Sequence, residues 1–246
     1  MKIIVNGAGG RMGKALTSLI EKSAERKIAA LVSADFETDR ERNIFRSIDE
    51  FRGEADCIID FSSHTACLLL CEYAVSRSIP LIIATTGITE EEKGIINKSA
   101  ERIPVFLSAN MSLGVALVSC IAKIAARAFP DSDIEIVESH HNQKLDVPSG
   151  TALLLADSIK SVRPESEYVI GRSKDGKRAK NEIGIHSLRM GNGAGTHEII
   201  FAMDSQVVTI KHEAQSISLF AEGALAAADF LVGKEPGLYC MDDILE

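Results

Sequence analysis

A glycine-rich turn stands between the first apolar run of the chain and its first helical pattern. Residues 7–13 read Gly-Ala-Gly-Gly-Arg-Met-Gly and directly follow the apolar run Lys2–Val5. A diphosphate needs backbone N–H groups at close range, which side chains would block, and the positive end of a helix dipole stabilises it. The Gly-x-x-Gly-x-x-Gly spacing also suits a tight turn without a ligand. Its position at the first strand of an alternating pattern favours a dinucleotide site.

Short apolar runs and helical patterns alternate up to Asn110. Thr89 with Glu92 fits a capping box for the third helix, and Ser62 or Ser63 can cap the second. Nearly all-apolar strands that alternate with helices predict an α/β domain, with a parallel sheet covered on both faces. The expected strands are Lys2–Val5, Ile28–Val32, Asp56–Asp60, Leu81–Ala84 and Pro104–Leu107, and the expected helices are about 12–22, 64–77 and 90–100.

The pattern changes after Asn110. Helices are expected at about 114–128, 152–160 and 218–232, and strands at 134–138, 183–189, 198–202 and 207–212. The charged and weakly apolar segment 163–182 is expected to be a mobile loop. This order of elements predicts a second domain of α+β type, built on a mixed or antiparallel sheet.

Charge and composition exclude several classes of protein. The net charge of −8 argues against nucleic acid as a partner, so an anionic substrate would need a local positive charge. No run of about 18 apolar residues is present, and we expect no membrane partner. The opening residues are too glycine-rich for a signal peptide, and the five cysteines include no Cys-x-x-Cys pair. We therefore expect reduced thiols and a cytoplasmic protein.

One group of residues has the spacing of metal ligands. His64, Cys67 and Cys71 lie three and four residues apart and could share one helical face. A zinc site also needs a fourth ligand or a water, and partners that orient the ligands; no second cluster in the sequence offers these. Free cysteine usually packs as a small hydrophobe, so we expect a buried helix face and no metal.

Residues that end the predicted strands are candidates for further contacts with the dinucleotide. Asp35 or Ser33 could bond a ribose, although Asp35 can also be read as an exposed loop residue. A carboxylate there favours NADH, whereas Arg11 could hold the extra phosphate of NADPH, so we expect a modest NADH preference or near indifference. The other candidate loops are Phe61-Ser62, Ala84-Thr85-Thr86-Gly87 and Ser108–Met111.

The stretch from residue 138 to residue 152 is the richest in reactive side chains. It holds His140, His141 and Lys144, followed by a Ser149-Gly150-Thr151 turn at a helix start. Histidine can pass a proton near neutral pH, lysine supplies a compact positive charge, and free N–H groups at a helix start bind carboxylates. Together they predict a site that holds an anion and protonates it. The alternative is an exposed polar loop in which Ser149 is only a helix cap.

This stretch resembles the signature of the dihydrodipicolinate reductase family, Glu-x-His-His-x-x-Lys-x-Asp-x-Pro-Ser-Gly-Thr-Ala, at every position. The resemblance implies a Rossmann-type dinucleotide-binding domain, residues 1–111 and 217–246, and a substrate-binding domain, residues 112–216, that forms a homotetramer. It covers the whole chain, through residues 7–13, Thr85-Thr86-Gly87, Asn110–Val115, Arg189-Met190-Gly191, Gly195-Thr196-His197 and Gly237-Leu238-Tyr239.

The resemblance also implies residue roles. His140 would be the proton donor and Lys144 the second catalytic group, and the substrate carboxylates would be held by His141, Lys144, Ser149, Gly150 and Thr151. The cofactor, NADH or NADPH, would contact Gly7, Ala8, Gly9, Gly10, Arg11, Met12, Ala84, Thr85, Thr86, Ser108, Ala109, Asn110 and Met111. The implied reaction is hydride transfer to a cyclic imine dicarboxylate, dihydrodipicolinate formed from 4-hydroxytetrahydrodipicolinate, in diaminopimelate and lysine biosynthesis.

Two departures from the family pattern stand out. The family usually has glycine where this chain has Ala84, whose methyl would crowd the nicotinamide slightly. It usually has arginine where this chain has Ile217, so the charge of that arginine is absent or replaced. Two alternative functions stay open: another imine or amino-acid dehydrogenase on the same fold, and a non-catalytic dinucleotide sensor, which would have no need of residues 138–152.

Overall fold

The computed structural model describes residues 1–245, which form two units. One unit comprises Met1–Ser112 and the residues from Ser218 onward, and the other is Leu113–Ile217. The boundaries expected from the sequence lie one residue from these. None of the helices in residues 1–245 is long and apolar enough to cross a membrane.

The elements follow one another in this order. The helices are α1 (Arg11–Glu21), α2 (Cys67–Arg77), α3 (Glu90–Ala100), α4 (Leu113–Ala128), α5 (Gly150–Lys160), α6 (Ser218–Leu231) and α7 (Met241–Leu245). The strands are β1 (Lys2–Asn6), β2 (Lys27–Val32), β3 (Ile44–Phe45), β4 (Cys57–Asp60), β5 (Leu81–Ile83), β6 (Pro104–Leu107), β7 (Asp133–His140), β8 (Glu167–Ile170), β9 (Glu182–Arg189), β10 (Gly195–Ala202), β11 (Val207–Ala214) and β12 (Gly237–Tyr239). Short 3-10 helices lie at Ile48–Glu50 and His64–Ala66.

The first unit is built on a parallel sheet with the strand order β12-β6-β5-β4-β1-β2-β3. Ile3, Ile4 and Val5 of β1 have no exposed surface, because helices cover both faces of a central parallel strand. The order of the strands reverses between β1 and β4. Open α/β sheets bind ligands at the carboxyl ends of the strands at such a point. The predicted Rossmann-type architecture is therefore confirmed.

The second unit is built on a mixed sheet with the strand order β11-β10-β7-β9-β8. Its central strand β7 pairs antiparallel with β10 and parallel with β9. Ile136 and Phe201 lie on the face that packs against α4 and α5, in a core with Ala122 and Leu155. Residues on the other face of the sheet are half-buried on β10 and exposed on β11. The predicted mixed sheet is confirmed.

The structure corrects several predicted elements. Segment 163–182 is not a continuous loop, because β8 pairs with β9 at the edge of the sheet. This strand is half-exposed, and its apolar run at residues 168–170 is only three residues long. Strands β3 and β12 have two and three residues, too few for a periodic pattern. The capping box is confirmed: the Thr89 hydroxyl accepts from Glu92 N at 3.2 Å, and the Glu92 carboxylate accepts from Thr89 N at 2.7 Å.

Candidate active site

The glycine turn after β1 has a backbone that leaves room for a diphosphate. Gly7 has a φ of +78°, a left-handed conformation that favours glycine. A Cβ at Gly13 would lie 2.2 Å from the Gly7 carbonyl oxygen, so the first turn of α1 packs directly on the turn. Gly10 is the N-cap of α1, and no acidic side chain occupies the first turn of that helix. The N–H groups at this helix start fit the diphosphate of a dinucleotide.

A cleft of about 430 Å³ opens beside this turn. It brings together residues that follow four different strands, at the place where the strand order reverses. Arg46, which follows β3, also lines this cleft and had no part in the sequence prediction. The predicted residues that line it are Gly7, Gly10, Ser33, Asp35, Phe61 and Ser62.

Other predicted cofactor contacts are not part of the lining of this cleft. Met111 is buried, with 1% of its surface exposed, while Ala109 and Thr86 are exposed. The residues outside the lining are Ala8, Gly9, Arg11, Met12, Ala84, Thr85, Thr86, Ser108, Ala109, Asn110 and Met111. Their contacts with a cofactor stay predictions.

The buried carboxylate of Asp60, at the end of β4, joins three of the loops around the cleft. It accepts hydrogen bonds from Asn6 Nδ2 at 2.7 Å, Ser62 Oγ at 2.6 Å and Thr85 Oγ1 at 2.7 Å. Asn6 and Ser62 line the cleft, so Asp60 also ties the Thr85 loop to it. The sequence reasoning gave Asp60 no role. The sequence did contain a signal for Asp60, since it is an acidic residue at the end of a strand that is otherwise apolar.

The residues with metal-ligand spacing do not meet as a metal site. His64 Nδ1 bonds Glu92 Oε1 at 2.8 Å, and the sulfurs of Cys67 and Cys71 lie 4.0 Å apart on the buried side of α2. Within residues 1–245, no group of three or more His, Cys, Asp or Glu side chains has the arrangement to hold a metal ion. The two cysteines belong to the core of the first unit.

In the second unit, the histidine-rich stretch contains the fully buried residue Glu138. The Glu138 carboxylate accepts hydrogen bonds from Arg189 Nη1 and Nη2, both at 2.8 Å, and from Ser149 N at 3.1 Å. His140 Nδ1 lies 2.6 Å from Glu138 Oε2. Because an ionised carboxylate only accepts, the Nδ1 atom of His140 carries the proton in this contact.

The Glu138 carboxyl is ionised although it is buried. Burial alone would raise its pKa, but the hydrogen bonds from Arg189, His140 and Ser149 N outweigh burial and lower the pKa to about 2. The bidentate Arg189 supplies a compensating positive charge. Glu138 and Arg189 thus form an ion pair, with the carboxylate fully buried, beside the imidazole of His140.

His197 on β10 is a second buried histidine in the same cluster. Its ring packs edge-on against that of His140, with centroids 5.2 Å apart, and its Nε2 lies 3.0 Å from Ser149 Oγ. Burial and the nearby His140 lower the pKa of His197 to about 4, so this ring is neutral at neutral pH. Sequence reasoning gave no role to His197, Glu138 or Arg189. The sequence did offer a signal for Glu138, because it lies on the apolar face of a predicted strand. A carboxylate buried there needs a cationic partner.

The remaining predicted residues lie in the loop after β7 and at the start of α5. Lys144 Nζ bonds Asp146 Oδ1 at 2.9 Å, and this hydrogen bond lowers the pKa of Asp146. His141 is half-buried, and its Nδ1 accepts from Gln143 N at 3.2 Å. Ser149 caps α5 by accepting from Ala152 N at 3.2 Å, and Gly150 and Thr151 form the first turn of that helix.

The second unit therefore combines a proton-bearing imidazole, a lysine and a capped helix start. The positive charge of Lys144 lies close enough to act on the pKa of His197. A helix start and a lysine attract carboxylates, and a histidine can transfer a proton. This arrangement can hold an anionic substrate and protonate it.

Comparison with protein families gives matches to both units. The model "Dihydrodipicolinate reductase, N-terminus" matches residues 1–111, and "Dihydrodipicolinate reductase, C-terminus" matches residues 114–245. A 4-hydroxy-tetrahydrodipicolinate reductase from Caldanaerobacter subterraneus subsp. tengcongensis is 45% identical over 249 residues, covering 100% of this chain and 98% of that protein. The enzyme of the same name from Clostridium tetani is 42% identical over 247 residues, covering 100% and 97%.

Solved structures share the fold. The dipicolinate-bound dihydrodipicolinate reductase from Paenisporosarcina sp. TG-14 has a TM-score of 0.85 at 23% identity, covering 99% of both chains. A C. glutamicum DAP dehydrogenase in complex with DAP has a TM-score of 0.60 at 11% identity, covering 100% of this chain and 95% of that one. At these identities the likeness describes the fold alone.

Proposed function

Because this chain belongs to the dihydrodipicolinate reductase family, we propose that it reduces 4-hydroxytetrahydrodipicolinate, by way of dihydrodipicolinate, to tetrahydrodipicolinate. The chain is an oxidoreductase of diaminopimelate and lysine biosynthesis, and it uses NADH or NADPH. The observation that carries this function is the buried cluster around Glu138, which places a proton-bearing imidazole beside a capped helix start.

The chain binds the two substrate carboxylates in the second unit. The first turn of α5, at Gly150 and Thr151, holds one of them, since a helix start stabilises negative charge. The Ser149 cap keeps that turn in place. Lys144 and His141 supply the remaining contacts, and the substrate takes the place of Asp146 as the partner of Lys144.

The substrate is protonated by His140. Reduction at ring carbon C4 develops negative charge on the neighbouring carbon and the imine, and this charge needs a proton and a nearby cation. His140 donates the proton, and Lys144 offsets the charge while it develops. His197, which is neutral at neutral pH, adds no competing positive charge to this cluster.

The nicotinamide dinucleotide supplies a hydride when it is bound. The N–H groups at the start of α1 hold its diphosphate, in the space that the glycines of residues 7–13 keep free. Ser33 and Asp35 bond the adenosine ribose in the cleft beside the turn. The Ala84-Thr85-Thr86 and Ser108–Met111 loops contact the nicotinamide end.

The assembly and location of the protein are part of the same proposal. A homotetramer forms through the second sheet, on the face that α4 and α5 leave uncovered. On that face Leu188 and Val207 are 46% and 61% exposed. Exposed apolar side chains on one face fit a surface that another protein copy covers. The enzyme works in the cytoplasm, where thiols such as those of Cys57, Cys67 and Cys71 stay reduced. Light scattering during gel filtration tests for four copies, and cell fractionation tests the location.

The activity is tested by following NADH and NADPH oxidation through their near-ultraviolet absorbance, with freshly prepared substrate. The proposed function requires oxidation that depends on the dicarboxylate and is lost in His140→Gln. Cofactor binding without any turnover would instead identify a dinucleotide sensor. Turnover with other cyclic imines or amino acids but not with this substrate would identify another dehydrogenase on the same fold.

A further inference from the structure

We infer that Glu138 is a positioning residue, which fixes the tautomer of His140 and holds that ring against the start of α5. This inference rests on the proposed function, in which His140 donates the proton and α5 holds a carboxylate. Glu138 has no exposed surface, so it acts through its neighbours and does not touch the substrate.

Glu138 connects three separate parts of the substrate-binding unit. Its Oε2 bonds His140 on the same strand, its Oε1 bonds the backbone N of Ser149 before α5, and both oxygens bond Arg189 on β9. Arg189 Nη2 also donates to the carbonyl oxygen of Asp146 at 2.7 Å. One carboxylate therefore orients the imidazole, the helix start and the end of the Lys144 loop.

The hydrogen-bond donors around Glu138 determine the tautomer of the His140 ring. Each partner of the Glu138 carboxylate is a donor, so a neutral His140 carries its proton on Nδ1, and Nε2 stays available for proton exchange. Nε2 faces Gly195, where an added Cβ would lie 2.7 Å from it. This close backbone leaves the ring little freedom to flip.

Several charged or titratable groups surround this ring. Glu138 lies on its own strand, Arg189 on β9 and His197 on β10, and Lys144 follows in the loop. Glu138 is the carboxylate that contacts the ring directly. Its position therefore fixes which ring nitrogen of His140 faces a carboxylate.

Glu135 offers a matched control on the same strand. It also bonds an arginine and a histidine, Arg178 and His186, with His186 Nε2 2.8 Å from its Oε2. Residues 135 and 138 lie on opposite faces of the strand, because side chains alternate along it. Glu135→Gln thus removes the negative charge of a similar cluster on β7 and leaves the contacts of His140 unchanged.

The first test needs no substitution at Glu138. Nitrogen-15 NMR of histidine-labelled wild-type protein, with the His140 signals assigned from His140→Gln, reports which ring nitrogen carries the proton. We expect Nδ1 to be protonated throughout the range in which the ring is neutral. A neutral His140 protonated on Nε2 would overturn the inference, since that tautomer cannot donate to Glu138.

The second test compares Glu138→Gln with Glu135→Gln. The amide NH2 of glutamine would face donors, either His140 and Arg189 or Ser149 and Arg189, so the network has to rearrange. We expect kcat of Glu138→Gln to fall by about 10–100-fold, a range typical of losing the partner that orients a functional histidine. The nitrogen-15 signals of His140 should change in Glu138→Gln, because the ring loses the carboxylate that fixes its tautomer. The KM for NADH is unchanged, and Glu135→Gln keeps wild-type values.

Equal losses in the two variants, with no change in the His140 signals, would overturn the positioning role. If Glu138→Gln does not fold, the wild-type tautomer still decides the inference. A wild-type protein that binds NADH but does not reduce the substrate would refute the proposed function instead, because the NMR result does not depend on turnover.

Discussion

Ser149 Oγ lies 3.0 Å from Nε2 of His197, so the cap of α5 is bonded to a buried histidine of a different element. The same oxygen accepts the Ala152 N–H at 3.2 Å. Burial holds the pKa of His197 near 4, well below its ordinary value of 6.5. The His197 ring is therefore neutral in the folded state. Its protonation destabilises the contacts that it makes with Ser149.

Acid should destabilise the protein through His197. Between pH 6.5 and pH 4 the unfolded state binds a proton that the folded state does not, so stability is full above that window and falls as pH drops through it. The loss amounts to about 3 kcal/mol, at about 1.4 kcal/mol per pKa unit. Urea unfolding across this window measures it.

The matched variants for this prediction are His197→Gln and His141→Gln. The first removes the titrating group and should flatten the pH dependence. The second removes a half-buried histidine from the nearby loop and should leave the dependence as in the wild type. Identical slopes in the wild type and His197→Gln would assign the acid sensitivity to another group.

Glu138 contributes to acid sensitivity in a separate and lower window. Its pKa of about 2 lies below the ordinary value of 4.5, so its stabilising effect is full above pH 4.5 and is lost as pH falls towards 2. His197→Gln should keep this second, more acidic loss. Unfolding curves of that variant between the two pH values provide the measurement.

The same glycine-to-alanine change should have opposite effects at Gly13 and Gly94. At Gly13 the new Cβ would meet the Gly7 carbonyl oxygen at 2.2 Å, so we expect a loss of about 1–3 kcal/mol and weaker NADH binding. At Gly94, inside α3, no atom lies within 4 Å, and alanine should stabilise by about 0.5–1 kcal/mol. Thermal unfolding and NADH titration distinguish the two. Unimpaired NADH binding in Gly13→Ala would argue against a diphosphate at this turn.

Cofactor preference should depend on Asp35 and Arg46, which line the same cleft. The carboxylate favours the ribose hydroxyls of NADH, and the guanidinium can pair with the extra phosphate of NADPH. We expect near indifference or a modest NADH preference in the wild type. Arg46→Ala should lower kcat/KM for NADPH relative to NADH by about tenfold, the loss of one hydrogen bond to a charged group.

Arg11→Ala is the control for this preference. Arg11 lies at the start of α1, outside the lining of the cleft, so its loss should affect both cofactors alike. A preference ratio that changes in Arg11→Ala and not in Arg46→Ala would place the extra phosphate at the helix start.

The sequence predicted the parts of this fold that depend on neighbours along the chain. The strand, glycine turn and α1 form one continuous segment, and the Thr89–Glu92 capping box spans four residues, so both can be read locally. Strand β3 depends on its pairing with β2, and β8 is a half-exposed edge strand. Their apolar runs of two and three residues are too short to show a periodic pattern.

The substrate cluster was predicted only in part, for the same reason. His140, Lys144 and Ser149 lie in one short stretch, and their residue types alone indicate their chemistry. Glu138 and Arg189 are 51 residues apart in sequence, and their contact depends on the parallel pairing of β7 with β9. Ser149 and His197 are 48 residues apart. Such partners become visible only when the sheet brings them together.

The roles of His140 and Lys144 are tested most directly by steady-state kinetics of His140→Gln and Lys144→Ala, with NADH titration of each folded variant. We expect His140→Gln to lower kcat by about 10²–10⁴-fold, the usual contribution of a general acid, with little change in the substrate KM. Lys144→Ala should impair both kcat and the substrate KM, because the lysine holds a carboxylate and offsets developing charge. NADH affinity should stay at the wild-type value in both. Near wild-type turnover in both variants would contradict the proposed site and show that the catalytic centre lies elsewhere.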